Sequence, residues 1–280
     1  MKRHLFHAAL ALNLKIKNNE LRLFKTCPMR YHEAMIKRSF LLVVLATSLA
    51  LLCSCVVSEK LTLNSSLSAG KPVDGKSHVD LSVDDFFVGV VEDLSNWSET
   101  DNNDPIIDVA VRDFVTNLQS SKTTGNIRFI ETGHNTYMGD FTFSDFKGLL
   151  IDLSKDVSDQ SIVTLSEKDG RTHVEININM DNFEQLTKII PFLGDPNFEV
   201  YGPLYNHDLT EEEYLEMVSF ILGEQCPDSI AKSSVKIQVV APKAIVSHNG
   251  KTRNTKTVEF SFPLIDFLLL HDPIRFYLEY

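Results

Sequence analysis

A 13-residue apolar stretch near the N-terminus, Phe40–Leu52, most constrains how this chain of 280 residues can fold. It follows a short basic segment, Met35–Ser39, that contains Lys37 and Arg38. The stretch is too short to cross a bilayer comfortably, since a transmembrane helix needs about 20 residues. A basic segment followed by an apolar stretch of this length is typical of a secretory signal peptide. We therefore expect residues 35–54 to be a signal peptide; the alternatives are an apolar core helix or a retained N-terminal anchor.

The charge distribution supports export. Nine of the 27 Lys and Arg residues and two of the 38 Asp and Glu residues lie in residues 1–55, which leaves residues 56–280 with a net charge of about -18. Positive segments stay cytoplasmic while a chain is exported. An acidic body is the wrong sign for a general nucleic-acid binder, so no nucleic-acid partner is expected. Residues 1–34 precede a complete signal, so we interpret them as sequence upstream of the true start at Met35 or as an extended basic region.

Four residues at the end of the apolar stretch, Leu52-Cys53-Ser54-Cys55, resemble the bacterial lipobox. In that pattern a Leu and a small residue precede a Cys that is diacylated and becomes the first residue of the mature protein. The match implies lipidation of Cys55, with residues 55–59 as the lipidated Cys and a short tether. Only Cys226 would then remain, so no intrachain disulfide can form. We interpret Cys226 as a packed thiol; the alternative is a catalytic nucleophile.

The remaining sequence, residues 60–280, predicts a single α+β domain with a mostly antiparallel curved sheet and amphipathic helices packed on one face. Strands and helices occur in blocks rather than in strict alternation. Asp169-Gly170 is a strong hairpin signal, and Thr210 with Glu213 forms a capping box. Asp104 is the expected N-cap of the helix that starts at Pro105. The predicted strands are 60–68, 77–83, 126–131, 137–143, 161–165, 173–178, 235–240, 244–247, 255–262, 267–270 and 274–280, and the helices are 84–97, 105–118, 144–153, 181–193 and 210–222.

Enzyme and metal motifs are missing from the sequence. There is no nucleophile elbow, phosphate-binding glycine loop, paired CxxC or zinc-binding HExxH. The six histidines after Cys55 have no metal-ligand spacing, and we interpret the Asp101–Asp104 loop as a helix start rather than a calcium loop. We therefore predict no catalytic, cofactor-binding or metal-binding residue. The Pro- and aromatic-rich segment Phe183–Leu222 is interpreted as a cap on the core; the alternative is a lid over an apolar cavity.

The plan of the chain resembles uncharacterised spirochaetal lipoproteins and, more distantly, the LppM-like periplasmic domains of bacterial lipoproteins. The residues that carry the resemblance are Cys55, the strand that soon follows it, the block Ala241–Gly250 and the strand Val258–Leu264. The resemblance implies a lipid-binding fold with a curved sheet around a helix. It transfers no functional residue.

These observations predict a non-enzymatic lipoprotein of the bacterial cell envelope that binds a lipid or another apolar ligand. Its expected location is the membrane to which acylated Cys55 attaches it, with the membrane and its side left open. One alternative is a surface interaction or scaffold protein with a protein partner. The other is an envelope hydrolase in which distant His and acidic residues converge in one cleft.

Overall fold

The computed structural model describes residues 56–67, 71–94, 104–153, 161–189 and 199–280. These residues form eleven strands and eight helices, which confirms the predicted α+β class with mostly antiparallel sheets. The strands are β1 Val56–Leu63, β2 Gly75–Ser82, β3 Thr124–Gly133, β4 Thr136–Phe143, β5 Val163–Lys168, β6 Arg171–Ile178, β7 Ser234–Val240, β8 Ser247–His248, β9 Lys251–Asn254, β10 Thr257–Pro263 and β11 Ile274–Glu279. The helices are α1 Asp85–Leu94, α2 Ile106–Ser120, α3 Phe146–Leu153, α4 Met180–Ile189, α5 Pro203–Asn206, α6 Glu211–Leu222, α7 Cys226–Lys232 and α8 Leu264–Leu269.

The strands form two open sheets rather than the single sheet that the sequence predicts. The larger has seven strands in the order β3-β4-β2-β1-β7-β10-β9, and the smaller has four in the order β5-β6-β11-β8. Within the large sheet only β1 and β7 pair in parallel. The last strand of the chain, β11, belongs to the small sheet, while β10 belongs to the large one.

One face of the large sheet packs into the core because apolar residues recur with period two along its strands. On β1 the buried residues of this inner face are Val57, Glu59, Leu61 and Leu63. Helix α2 packs against this face through Phe114, whose ring meets Phe141 of β4 edge to face at 6.3 Å between centroids. No helix among the described residues is long and apolar enough to cross a membrane.

Local turn and cap signals are confirmed at two places. Asp169 and Gly170 both have positive φ, 52° and 72°, as the two central residues of a type I′ hairpin require. Thr210 and Glu213 form the capping box at the start of α6. Asp104 is not the cap of α2, because the N-cap residue is Pro105 and the Asp104 carboxylate instead pairs with Arg112 at 2.7 Å.

Three sequence assignments are wrong. Residues 56–59 are not a tether but the first half of β1. Residues 267–270 belong to helix α8 and its left-handed C-cap, because periodicity cannot separate a short buried helix from a buried strand. The predicted strand 244–247 is found only at Ser247, the first residue of β8, whereas the predicted strand 255–262 is confirmed as β10 from Thr257 onward. Cys226 is 1% exposed, as expected of a packed thiol.

Candidate functional site

A glutamate, Glu59, lies at the centre of the inner face of the large sheet. It occupies the middle of β1, where Val79 of β2 is its partner on one side and Ile237 of β7 on the other. The same cross-strand row continues to Gly139 of β4 and Phe260 of β10. Glu59 is therefore the one ionisable residue in a row of five strands that is otherwise apolar.

The carboxyl group of Glu59 has one hydrogen-bond partner. Ser77 of β2 donates its hydroxyl proton to Glu59 Oε1 at 2.9 Å. Glu59 Oε2 is buried and has no hydrogen-bond partner among the described residues. The whole Glu59 residue is 1% exposed and Ser77 is equally buried. One polar atom is thus left unsatisfied in the interior, which is rare in folded proteins.

Burial determines the protonation of this group. Desolvation raises the pKa of Glu59 to about 8, although the hydrogen bond from Ser77 acts in the opposite direction. At neutral pH the carboxyl group is therefore mainly neutral and carries its own proton. Because Oε1 accepts from Ser77, we place that proton on Oε2. The group then offers a hydrogen-bond donor to an acceptor that the described chain does not supply.

Aromatic rings line one side of this region. A Cβ atom on Gly139 would lie 2.0 Å from Phe129 Cε1, so the ring of Phe129 covers a position that only glycine leaves open. Phe114 of α2 meets Phe129 at 4.9 Å between ring centroids. Phe141, the cross-strand partner of Ser77, also contacts Phe114. The arrangement combines an apolar wall with one hydrogen-bonding group, the usual composition of a small-ligand site.

A second polar cluster lies on the outer face of the small sheet. His173 on β6 faces two carboxylates, with Nδ1 3.2 Å from Glu279 Oε1 and Nε2 3.1 Å from Glu175 Oε2. Arg275 Nε donates to Glu175 Oε1 at 2.6 Å, and the ring of Tyr277 stacks on His173. A Ser-His-Asp relay needs one imidazole nitrogen on a carboxylate and the other on a nucleophile. Both nitrogens of His173 face carboxylates, so this cluster does not have the geometry of that relay.

The other histidines after Cys55 are spread over the fold. Among the described residues, no group of three or more His, Cys, Asp or Glu side chains could hold a metal ion. Cys55, the predicted lipidation site, lies outside the described residues, as does most of the Asp101–Asp104 loop. The five histidines other than His173 lie near different groups. These include Asp140 and Asp80 for His78, Asp85 for His134, Asp208 for His207, Thr252 for His248 and the carbonyl of Leu209 for His271.

Glu59 was not among the predicted site residues, because residues 55–59 were expected to form a tether. The sequence contains a signal for its burial. Val57, Glu59, Leu61 and Leu63 alternate with polar residues, so Glu59 occupies a position at which the pattern otherwise has an apolar residue. The convergence of His173 with Glu279 was also missed, since 106 positions separate them in the chain.

No protein-family model matches this chain, and no curated protein matches it. Among solved structures it is similar to the folded domain of the Mycobacterium tuberculosis LppM protein, determined by NMR. The two are 12% identical, the match covers 81% of this chain and 89% of that one, and the TM-score is 0.36. The match reports structural similarity to that domain, and the resemblance to spirochaetal lipoproteins stays a prediction.

Proposed function

We propose that this chain is a non-enzymatic, lipid-anchored protein of the bacterial cell envelope that binds a lipid or another apolar ligand at Glu59. The observation that carries the proposal is the unsatisfied Oε2 atom of Glu59 on the apolar inner face of the large sheet. Buried ionisable groups with strongly shifted pKa values are candidates for functional sites. Apolar sites commonly use a few polar groups of this kind to orient a ligand.

The energetic cost of the unpaired Glu59 Oε2 atom favours a hydrogen-bond partner outside the described residues. Leaving a buried polar atom without a hydrogen bond costs about 1–3 kcal/mol. An apolar side chain at this position would avoid that cost and preserve the alternation of β1. A ligand with an oxygen acceptor, such as an ester carbonyl or a hydroxyl group, would remove the cost by accepting the proton of the neutral carboxyl group. The acyl part of that ligand would contact the surrounding aliphatic and aromatic side chains.

The anchoring part of the proposal is supported by the sequence. The signal-like segment ends at Cys55, and residues 56–280 are strongly acidic. Anionic headgroups repel an acidic surface. A covalent lipid would therefore provide the membrane attachment that the charge of the domain opposes.

Mass spectrometry of the full chain purified from membranes in mild detergent tests both parts. Denaturing conditions report a covalent lipid on Cys55, and native conditions report bound, non-covalent lipid. We expect non-covalent lipid on the wild type and a loss of at least about tenfold in Glu59→Met, since 1.4 kcal/mol corresponds to a factor of ten. Glu59→Gln keeps a hydrogen-bond donor and should retain more ligand than Glu59→Met.

The matched control is Glu175→Gln, which makes the same change on the outer face of the small sheet. It should leave the lipid content unchanged. Equal lipid in the wild type and Glu59→Met would contradict binding at Glu59, and a wild type without non-covalent lipid would contradict the binding function. A Glu59→Met variant with the circular dichroism spectrum and melting temperature of the wild type or better shows that its loss of ligand does not come from unfolding.

A further inference from the structure

The first strand of the domain leaves no room for a linker after Cys55. Strand β1 begins at Val56 and is the fourth of the seven strands in the large sheet. Val56 already pairs with Ser82 of β2 on one side and with Ser234 of β7 on the other. Val56, the residue that follows Cys55 in the sequence, is therefore already held by neighbouring strands on both sides.

Two ends of the large sheet can be distinguished by register. The Val56 end consists of Val56, Ser82, Thr136, Ser234 and Pro263, which are level with one another across five strands. The other end, called the Leu63 end, contains Leu63, Gly75 and Phe143, with Val240 and Thr257 one residue short of it. At about 3.3 Å per residue, the eight residues of β1 separate the two ends by about 25 Å.

We propose that the headgroup layer of the membrane contacts the Val56 end of the large sheet, while the Leu63 end points away from the bilayer. The inference rests on the proposed acylation of Cys55. A flexible linker of about 20 residues would give the domain a reach of about 25 Å and let it rotate freely. Here the proposed acyl group is attached next to a strand that is paired on both sides, so the Val56 end stays beside the bilayer.

The side chains around the Val56 end are too polar to enter hydrocarbon. Asp84 and Asp85 follow β2, and both are exposed. The turn between β3 and β4 packs against them, because Asn135 Nδ2 donates to Asp85 Oδ1 at 2.8 Å and His134 Nε2 lies 3.0 Å from the same oxygen. Charged and amide groups are costly to bury in hydrocarbon. The contact therefore stays at the surface, and the acyl chains alone enter the bilayer.

Two exposed hydroxyl residues provide a matched pair of labelling positions. Thr132 lies next to the Val56 end, and Ser144 follows Phe143 at the Leu63 end. Each hydroxyl donates to one backbone carbonyl, at 3.2 Å in both cases. Thr132→Cys and Ser144→Cys would each carry a fluorophore on the full, acylated chain. The buried Cys226 has 1% exposure and can remain in place.

The experiment reconstitutes each labelled chain into phosphatidylcholine vesicles that contain a lipid with a nitroxide on its headgroup. We expect the Thr132 label to be quenched several-fold more than the Ser144 label. Insertion of 20 Gly and Ser residues between Cys55 and Val56 should remove the difference. Equal quenching at the two positions, or stronger quenching at Ser144, would overturn the orientation. Denaturing mass spectrometry of the same samples separates this result from failure of the anchor, since an unmodified Cys55 would refute the acylation itself.

Discussion

Two glutamates in strands, Glu59 in the large sheet and Glu175 in the small one, differ in burial, in their neighbours and in the direction of their pKa shift. Burial raises the pKa of Glu59 to about 8. The pKa of Glu175 is lowered, first by the hydrogen bond from Arg275 and also by His173, with burial acting against both. The side chain of Glu175 is 19% exposed and lies between the Arg275 guanidinium group and the His173 imidazole ring. Glu59 has 1% exposure, and no cationic group contributes to its pKa.

The surroundings of a carboxyl group determine which groups it can bind. The outer face of the small sheet supplies the Arg275 guanidinium group and the His173 imidazole ring to the Glu175 carboxylate. Next to Glu59, the inner face of the large sheet supplies the Ser77 hydroxyl group and otherwise apolar side chains. A neutral carboxyl group in such surroundings suits an uncharged ligand, which is the chemical basis of the proposed function.

The largest predicted effect is the removal of the Glu59 titration by Glu59→Gln. Because its folded-state pKa is raised, Glu59 binds its proton more tightly in the folded protein. The wild type therefore keeps its full stability below about pH 4.5 and loses stability as the pH rises to about 8. At about 1.4 kcal/mol per pH unit, this loss is at most on the order of 5 kcal/mol. Urea unfolding at pH 5 and pH 9 should show Glu59→Gln gaining several kcal/mol relative to the wild type at the higher pH.

Glu175→Gln is the control for this measurement. The pKa of Glu175 is lowered rather than raised, so its removal cannot produce a gain that grows between pH 5 and pH 9. An unchanged difference between wild type and Glu59→Gln across this range would contradict a raised pKa at Glu59.

Ser77→Ala should have the second largest effect. The substitution removes the hydrogen bond to Glu59 Oε1, so the pKa of Glu59 rises further and neither carboxyl oxygen has a partner among the described residues. We expect a loss of about 1–3 kcal/mol in the free energy of unfolding at neutral pH. In a Glu59→Met background the same substitution removes no such bond and should be close to neutral. An equal loss in both backgrounds would show that Ser77 acts independently of Glu59.

His173→Ala tests how much the His173 contacts stabilise the small sheet. His173 bridges β6 and β11 through Glu279 while also contacting Glu175, and its side chain is 21% exposed. We expect a loss of about 1 kcal/mol in urea unfolding. His78 provides the control, because it also lies between two carboxylates, Asp80 and Asp140, but these are 58% and 57% exposed. His78→Ala should cost less, and an equal cost would mean that shelter from solvent does not distinguish the two clusters.

The sequence predicted local features better than the site. The type I′ turn at Asp169-Gly170 and the capping box at Thr210 depend on residues within a few positions, and both are confirmed. The division into two sheets depends on the strand order, in which β1 pairs with β7 across most of the domain. No local pattern fixes such a pairing, because alternation identifies a buried face but not its neighbours.

The burial of Glu59 could not be predicted from the sequence for the same reason. Its position within an apolar phase was visible, but its burial depends on Val79 and Ile237, which lie on other strands. The His173 cluster likewise needs β11 beside β6 to bring Glu279 to the imidazole ring. Both polar sites are products of strand pairing between distant segments rather than of motifs.

The smallest predicted effect is that of Arg275→Gln on Glu175. Without the guanidinium group, the pKa of Glu175 should rise, because the largest cause of its lowering is lost while burial continues to raise it. A lowered pKa stabilises the fold above the ordinary value of 4.5, and this contribution disappears as the pH falls. The loss of stability in Arg275→Gln should therefore be visible at neutral pH, fade in acid and shrink with added salt, since Arg275 is 60% exposed.

NMR titration of the glutamate carboxyl carbons measures the pKa of Glu175 directly. The control is Arg253→Gln, which should change the pKa of Glu259 instead. An unchanged titration of Glu175 would mean that Arg275 does not neutralise the outer face of the small sheet, and the contrast with Glu59 would then reduce to burial alone.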